Sequence, residues 1–328
     1  MTRTLLRAAF AAALATTLTT GAASTAAAPV ASASGATKAA DCVEHTDADH
    51  AGHADEAGAS ARVRPGQAGS KADTREVSRT EQRAIDARTR KIVQDKRADR
   101  TTAAAGNSIA SIPVYVHVMV GNNNAGNVSD AQITQQVAVL NQTYGGADVN
   151  GAGLDTGVAF RLAGTDRIVN NSWHQDKQSS QYRAKTRQGG KNALNIWLVE
   201  FDYLGIATFP WDYSKQPRID GIRVQYSSLP GGPATNYNLG ETATHEAGHW
   251  LGLYHTFQGG CADPGDSVSD TPAQASPSTG CPTGRDSCPA PGLDPVRNYM
   301  DYSYDSCYTT FSAGQDSRMD QMWTAYRA

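Results

Sequence analysis

His245-Glu246-Ala247-Gly248-His249-Trp250-Leu251-Gly252-Leu253-Tyr254-His255 fits the pattern H-E-x-x-H-x-x-G-x-x-H at every fixed position, the pattern of a zinc peptidase site. Residues four apart on an α-helix share a face, so His245 and His249 can aim their imidazoles at one metal ion. Glu246 falls beside that metal, where a carboxylate can take a proton from the attacking water and later deliver it to the leaving amine. Gly252 tolerates the positive φ that ends a helix and turns the chain sharply, which brings up His255 as third ligand. Such a histidine set leaves the fourth coordination position open for water, and this separates a catalytic zinc from a closed structural one. The H-E-x-x-H core alone can occur by chance on a helix surface; the added fixed glycine and histidine make the long form specific.

Downstream, Asn298-Tyr299-Met300-Asp301-Tyr302 stands where a methionine-containing turn would pass beneath the ligands. Other segments agree with it: Gly265-Asp266-Ser267-Val268-Ser269-Asp270-Thr271-Pro272, Gly280-Cys281-Pro282, and Phe311-Ser312-Ala313-Gly314-Gln315 with Arg318-Met319. Over residues 110–328 the chain resembles the pappalysin-type metzincins, in their branch of compact secreted bacterial enzymes. The resemblance implies an α+β, metzincin-type zincin catalytic domain. Its mixed twisted sheet would have a backing helix and an active-site helix, followed by a loop-rich C-terminal subdomain with the Met-turn. It implies that His245, His249 and His255 bind zinc, that Glu246 is the general base and acid, and that Tyr302 hydrogen-bonds the oxyanion. Met300 would form the floor beneath the metal by packing, since three nitrogens and a water already fill the coordination sphere.

The same resemblance suggests disulfides between Cys261 and Cys288 and between Cys281 and Cys307, although four cysteines by themselves allow three connectivities. It also points to structural calcium at Asp266, Asp270 and Thr271, where the spacing is not that of an EF-hand. Cys42 stands far upstream and is a candidate zymogen switch, its thiolate taking the open position on zinc; the nearby His45, His50 and His53 offer a weak metal-binding arm instead. Asp305 and Tyr308 are candidates for the wall of the pocket that receives the residue after the scissile bond.

Composition sets the frame around this site. Arg3 and Arg7 precede an apolar stretch at residues 8–18 and then small residues, so residues 1–33 read as a signal peptide, too short in its apolar core to span a bilayer. Residues 34–106 are rich in Ala, Arg, Asp, Glu and His and read as a propeptide, largely charged and flexible, with a solvated helix at 78–97. Residues 107–328 form the catalytic domain. A secreted protein follows, with oxidised cysteines. The formal charge of −3 favours neither nucleic acid nor membrane as partner; peptides or unfolded proteins are the expected substrates, and a monomer the expected state.

Within the domain, residues 112–120 suit a buried strand, with His117 structural, and Ser129-Asp130 caps a helix carrying Ile133, Val137, Val139, Leu140 and Tyr144 largely on one side. Residues 158–162 and 194–201 read as further strands, 205–209 as an edge strand that would pair with an extended substrate, and 239–251 as the active-site helix. The function expected is a secreted zinc endopeptidase made as a zymogen. A non-catalytic zinc-stabilised binding module is the alternative, yet it needs no carboxylate at Glu246. An exopeptidase would need a terminal-charge pocket that nothing in the chain identifies, and His255 disfavours the small metzincins with aspartate as third ligand.

Overall fold

The β-branched run at Ile112–Val120 is the strand on which the domain is built. Val114, Val116 and Val118 join the main apolar core on one face of the sheet, while Met119 meets Tyr182 and Trp197 on the other. A strand covered on both sides reads as a near-continuous apolar run rather than an alternating one. The computed structural model describes residues 60–63, 77–98, 109, 111–148 and 150–328. The expected signal peptide and Cys42 lie outside the described residues.

In chain order the elements are β1 (Ser60–Val63), α1 (Arg79–Ala98), β2 (Ile112–Val120), α2 (Asp130–Tyr144), β3 (Phe160–Val169), α3 (Asn171–His174), α4 (Ser179–Thr186), β4 (Leu194–Val199), β5 (Tyr203–Ala207), β6 (Ile222–Gln225), α5 (Glu241–Trp250) and α6 (Ala313–Met322). The sheet has the order β1-β5-β6-β4-β2-β3. Strands β2, β3, β4 and β6 run parallel, and β5 runs antiparallel to both of its neighbours. The sheet is thus mixed, as expected. Strand β5 lies two residues earlier than the edge strand read at 205–209, because Pro210 has no N–H to give a ladder and starts a short helical turn. Strand β3 runs on to Val169, well past residue 162, paired with β2 on both sides of a register shift at Ala163.

Helix α2 starts at the Ser129–Gln132 capping box and lays Ile133, Val137, Leu140 and Tyr144 on the core. Its polar side chains hold the active-site helix: Gln136 Nε2 donates to Gly240 O at 2.9 Å, and Tyr144 Oη donates to Thr244 O at 3.1 Å. Helix α5 begins at Glu241, after Gly240 in the left-handed region at φ 98°, and all its residues are buried. Its far end is fixed by Arg327, whose Nε donates to Trp250 O at 3.0 Å and whose guanidinium pairs with the buried Asp220 at 3.1 Å.

Two elements precede the domain boundary expected at residue 107. Strand β1, for which the sequence shows no alternation, adds antiparallel to β5, with Ser60 opposite Ala207 and Arg62 opposite Gly205. Helix α1 was expected to be solvated; instead it buries Gln82, Ile85, Thr89 and Val93, a stripe at helical spacing. Half of that stripe is polar, with Gln82 Nε2 and the Thr89 hydroxyl donating hydrogen bonds, which explains why apolar periodicity missed it. No helix among the described residues is long and apolar enough to cross a membrane.

After α5 the chain is loop-rich. Disulfides join Cys261 to Cys288 and Cys281 to Cys307. The turn at residues 298–302 is fastened to α6 by an amide pair, Asn298 Nδ2 donating to Gln315 Oε1 at 2.8 Å and Gln315 Nε2 to Asn298 Oδ1 at 3.0 Å.

Candidate active site

Helix α5 and the turn after it bring His245, His249 and His255 together. Their Nε2 atoms approach in two steps of 3.1 Å, from His245 to His249 and from His249 to His255. The Nδ1 atoms of His245 and His249 face the carbonyls of Tyr299 at 2.6 Å and Leu253 at 2.8 Å. A carbonyl only accepts, so each Nδ1 carries the ring proton and each Nε2 presents a lone pair. Two lone pairs at 3.1 Å repel unless a cation lies between them. The spacing is close to the edge of about 3.3 Å in a tetrahedron of Zn–N bonds of about 2.0–2.1 Å, so the donor set fits a zinc ion. Burial pushes His249 down to about 4, which keeps its ring neutral and fit for a metal at neutral pH. Among the described residues, no other group of three or more His, Cys, Asp or Glu side chains lies close enough to share a metal.

Glycines make room for the rest of the site. A Cβ added at Gly205 on β5 would collide with Glu246 Cγ, Cδ and Oε1, so β5, which β1 covers and which is therefore not the edge strand expected, closes directly over this buried carboxylate. Gly248 faces the Met300 thioether, and a Cβ there would collide with Sδ. Gly252, at φ 102°, turns the chain toward His255 and packs on Met322. The Tyr302 ring stands 4.9 Å from that of His255 and 5.5 Å from that of His245, while Phe257 stacks on His255 at 4.6 Å.

A buried acidic group lies behind His245. Tyr299, whose carbonyl receives the His245 proton, donates its hydroxyl to Asp148 at 2.9 Å. Beside it, burial, followed by the charges of Asp305 and Asp148, holds Glu241 well above the usual carboxylate range. Asp305 accepts from Leu239 N at 2.9 Å, and the Tyr308 hydroxyl donates to Asp301 O at 2.6 Å. Both side chains are buried, so the reading of Tyr308 as pocket wall gives way to one in which it braces the turn.

The expected calcium residues are only partly gathered. Asp266 accepts from Thr271 Oγ1 at 2.7 Å and Val268 N at 3.0 Å, whereas Asp270 accepts from Ser312 Oγ at 2.7 Å and Gly314 N at 2.8 Å, at the start of α6. Sequence reasoning passed over Gly205 and Asp148. An isolated glycine within a strand pattern signals close approach by a neighbour and could have flagged the first; Asp148 carries no local signal.

The family model described as Peptidase_M43, Pregnancy-associated plasma protein-A, matches residues 200–324, which run from the foot of β4 through α6. An extracellular metalloprotease of Neurospora crassa is 47% identical over 226 residues, 66% of this chain and 76% of its own. The chain belongs to this pappalysin family. One of Verticillium alfalfae is likewise 47% identical over 228 residues, 66% of this chain and 77% of its own. Among solved structures, mirolysin in complex with compound 9 is similar at a TM-score of 0.59 and 32% identity, over 65% of this chain and 91% of that one. Tannerella forsythia promirolysin reaches 0.61 at 27% identity, over 76% of this chain and 92% of that one. As a pappalysin the chain is a secreted zinc metalloendopeptidase, made as a zymogen and acting on peptides or proteins. Its domain has the metzincin fold.

Proposed function

We propose that His245, His249 and His255 hold the catalytic zinc and that Glu246 moves the proton in peptide-bond hydrolysis. The observation that carries this is the convergence of the Nε2 atoms in steps of 3.1 Å, from the helix that also presents Glu246 and from the turn after it. Zinc held there supplies Lewis-acid polarisation to the attacking water and the scissile carbonyl. Glu246 takes the proton of the water and returns it to the leaving amine, in a niche that Gly205 roofs. Tyr302, beside His245 and His255, donates its hydroxyl to the oxyanion as it develops. Met300 packs under the site against Gly248 and is not a ligand.

An extended substrate adds to β5 by main-chain pairing, as β1 does in the full chain, which places its backbone beside Glu246. Residues 1–33 are the leader, 34–106 the prosegment and 107–328 the catalytic domain; support comes from the site residues, all of which lie after the boundary. Cys42 as a latency switch rests on sequence alone, and Cys42→Ala should then raise activity of the uncut protein. Calcium in the loop of Asp266, Asp270 and Thr271 rests on the resemblance and on the desolvation of Asp266. A chelator that spares zinc should lower the thermal midpoint, and an unchanged midpoint sinks the calcium reading.

The decisive assay is cleavage of an end-blocked, quenched peptide library by the processed protein, wild type beside Glu246→Gln. Loss of turnover by about 10²–10⁴-fold is expected for the variant, with zinc still bound one to one. Retained turnover in Glu246→Gln, or cleavage after zinc removal, overturns the assignment.

A further inference from the structure

Helix α1 and strand β1 meet the catalytic domain in different ways. β1 adds to β5 by main-chain pairing. The chain at 77–98 uses side chains. Val77 and Ile85 share an apolar cluster with Phe209, Trp211, Tyr254 and Met322, with Tyr326 at its margin. Polar contacts surround it: Gln82 Nε2 donates to Gly265 O at 3.1 Å, Gln258 Nε2 to Val77 O at 3.0 Å, and Lys96 Nζ to Thr324 O at 2.7 Å. The Thr89 and Tyr326 hydroxyls meet at 2.9 Å.

The central polar contact is an ion pair between Asp86 and Arg318 at 2.9 Å, with side chains only 17% and 9% exposed. Arg318 in turn donates Nε to Gly252 O at 2.8 Å and lies 4.7 Å over the Tyr254 ring. Contact therefore extends to the turn that carries His255, and Phe209, in the same cluster as Ile85, stands 5.6 Å from His249. Aromatic and arginine anchors in a desolvated setting are the residues that dominate binding energy at interfaces.

We propose that residues 77–98 are the affinity element of the prosegment and stay bound to the mature enzyme after the chain is cut between 98 and 109, whereas β1 is the element that covers the cleft. The surface of Phe209, Trp211, Tyr254, Arg318, Met322 and Tyr326 is then a docking site for a helix that carries an apolar anchor, Ile85, with the carboxylate of Asp86 next to it, and for a second apolar anchor, Val77, two residues before the helix starts. Its occupant is this chain's own α1. The proposal rests on the reading of residues 34–106 as prosegment.

The test uses the full chain carrying Glu246→Gln, to stop self-cleavage, with a site for a sequence-specific protease inserted between 98 and 109. After cutting, size exclusion at low micromolar concentration should show the fragment co-eluting with the domain. Ile85→Ala and Asp86→Asn should each weaken retention at least tenfold, while glycine-serine replacement of 60–63 should leave it within twofold. Asp86→Asn keeps the helix and its shape, so it reports the ion pair if Ile85→Ala perturbs folding before the cut. Separate elution of the uncut-sequence fragment, or dependence on 60–63 but not on Ile85 and Asp86, overturns the proposal. Failure of the prosegment reading shows separately: a chain with Glu246 intact would then be as active before the cut as after it.

Discussion

Glu246 occupies a niche that no larger residue at position 205 would leave open. Gly205→Ala places a methyl group against Glu246 Cγ, Cδ and Oε1, so either β5 or the carboxylate must move. A misplacement of about 1 Å at a reacting group costs on the order of a hundredfold in rate. Turnover of Gly205→Ala should fall by that order while zinc content, read by atomic absorption, stays at the wild-type value. A variant with full kcat would show that β5 does not fix the carboxylate. Gly248 has the same logic toward Met300, and both glycines explain why residues with no chemistry of their own stand at the site.

The loop of Asp266 couples burial to pH. Burial pushes its carboxyl up to about 7, and the hydrogen bonds from Thr271 and Val268 N offset only part of that. In the unfolded chain the same group titrates near about 3.9. Between those values the folded state keeps a proton that the unfolded state has lost, so this contribution to stability is full at acid pH and falls as pH rises from about 4 to about 7. The thermal midpoint of wild type minus that of Asp266→Asn should therefore decline across this range in chelator, and calcium should flatten the decline by favouring the ionised form. A difference independent of pH would remove Asp266 as the titrating group. At the next element, Asp270 and Ser312 cap α6 together, which links this loop to the helix whose Gln315 holds the turn of Met300.

Across the molecule, the loop-rich half depends on cross-links more than on a core of its own. The bond from Cys281 to Cys307 ties the loop at Ser278, whose N–H donates to Asp301 Oδ1 at 3.0 Å, to the segment just after the Met300 turn. Replacing both cysteines by alanine should cost about 2–5 kcal/mol, read as a lower denaturation midpoint, and should loosen zinc through the Tyr299 carbonyl that orients His245. Unchanged stability would mean that the turn is held by Gln315 and Asp301 alone. The sheet, by contrast, gains its stability from a core that runs from β2 through α2 and α5 to Met300, so the upper and lower parts share one apolar interior.

The sequence by itself determined the gathering of His245, His249 and His255 beside Glu246, the turn at Gly252, the capped helix α2 and the central strand, because each depends on residues near one another in the chain. Helical spacing places His245 and His249 without reference to anything distant, and a glycine at φ 102° suffices to bring His255 round. Only the tertiary structure decided which carbonyls orient those rings, that Gly205 roofs Glu246, that Asp305 and Tyr308 turn inward, and that β1 and α1 dock where they do. Apart from His249 with Leu253, those pairings join residues tens to hundreds apart, such as Asp86 with Arg318 or Asp148 with Tyr299. Their polar side chains leave no periodic trace in the sequence, since a buried hydrogen bond is specified by two partners that meet only when the chain has folded.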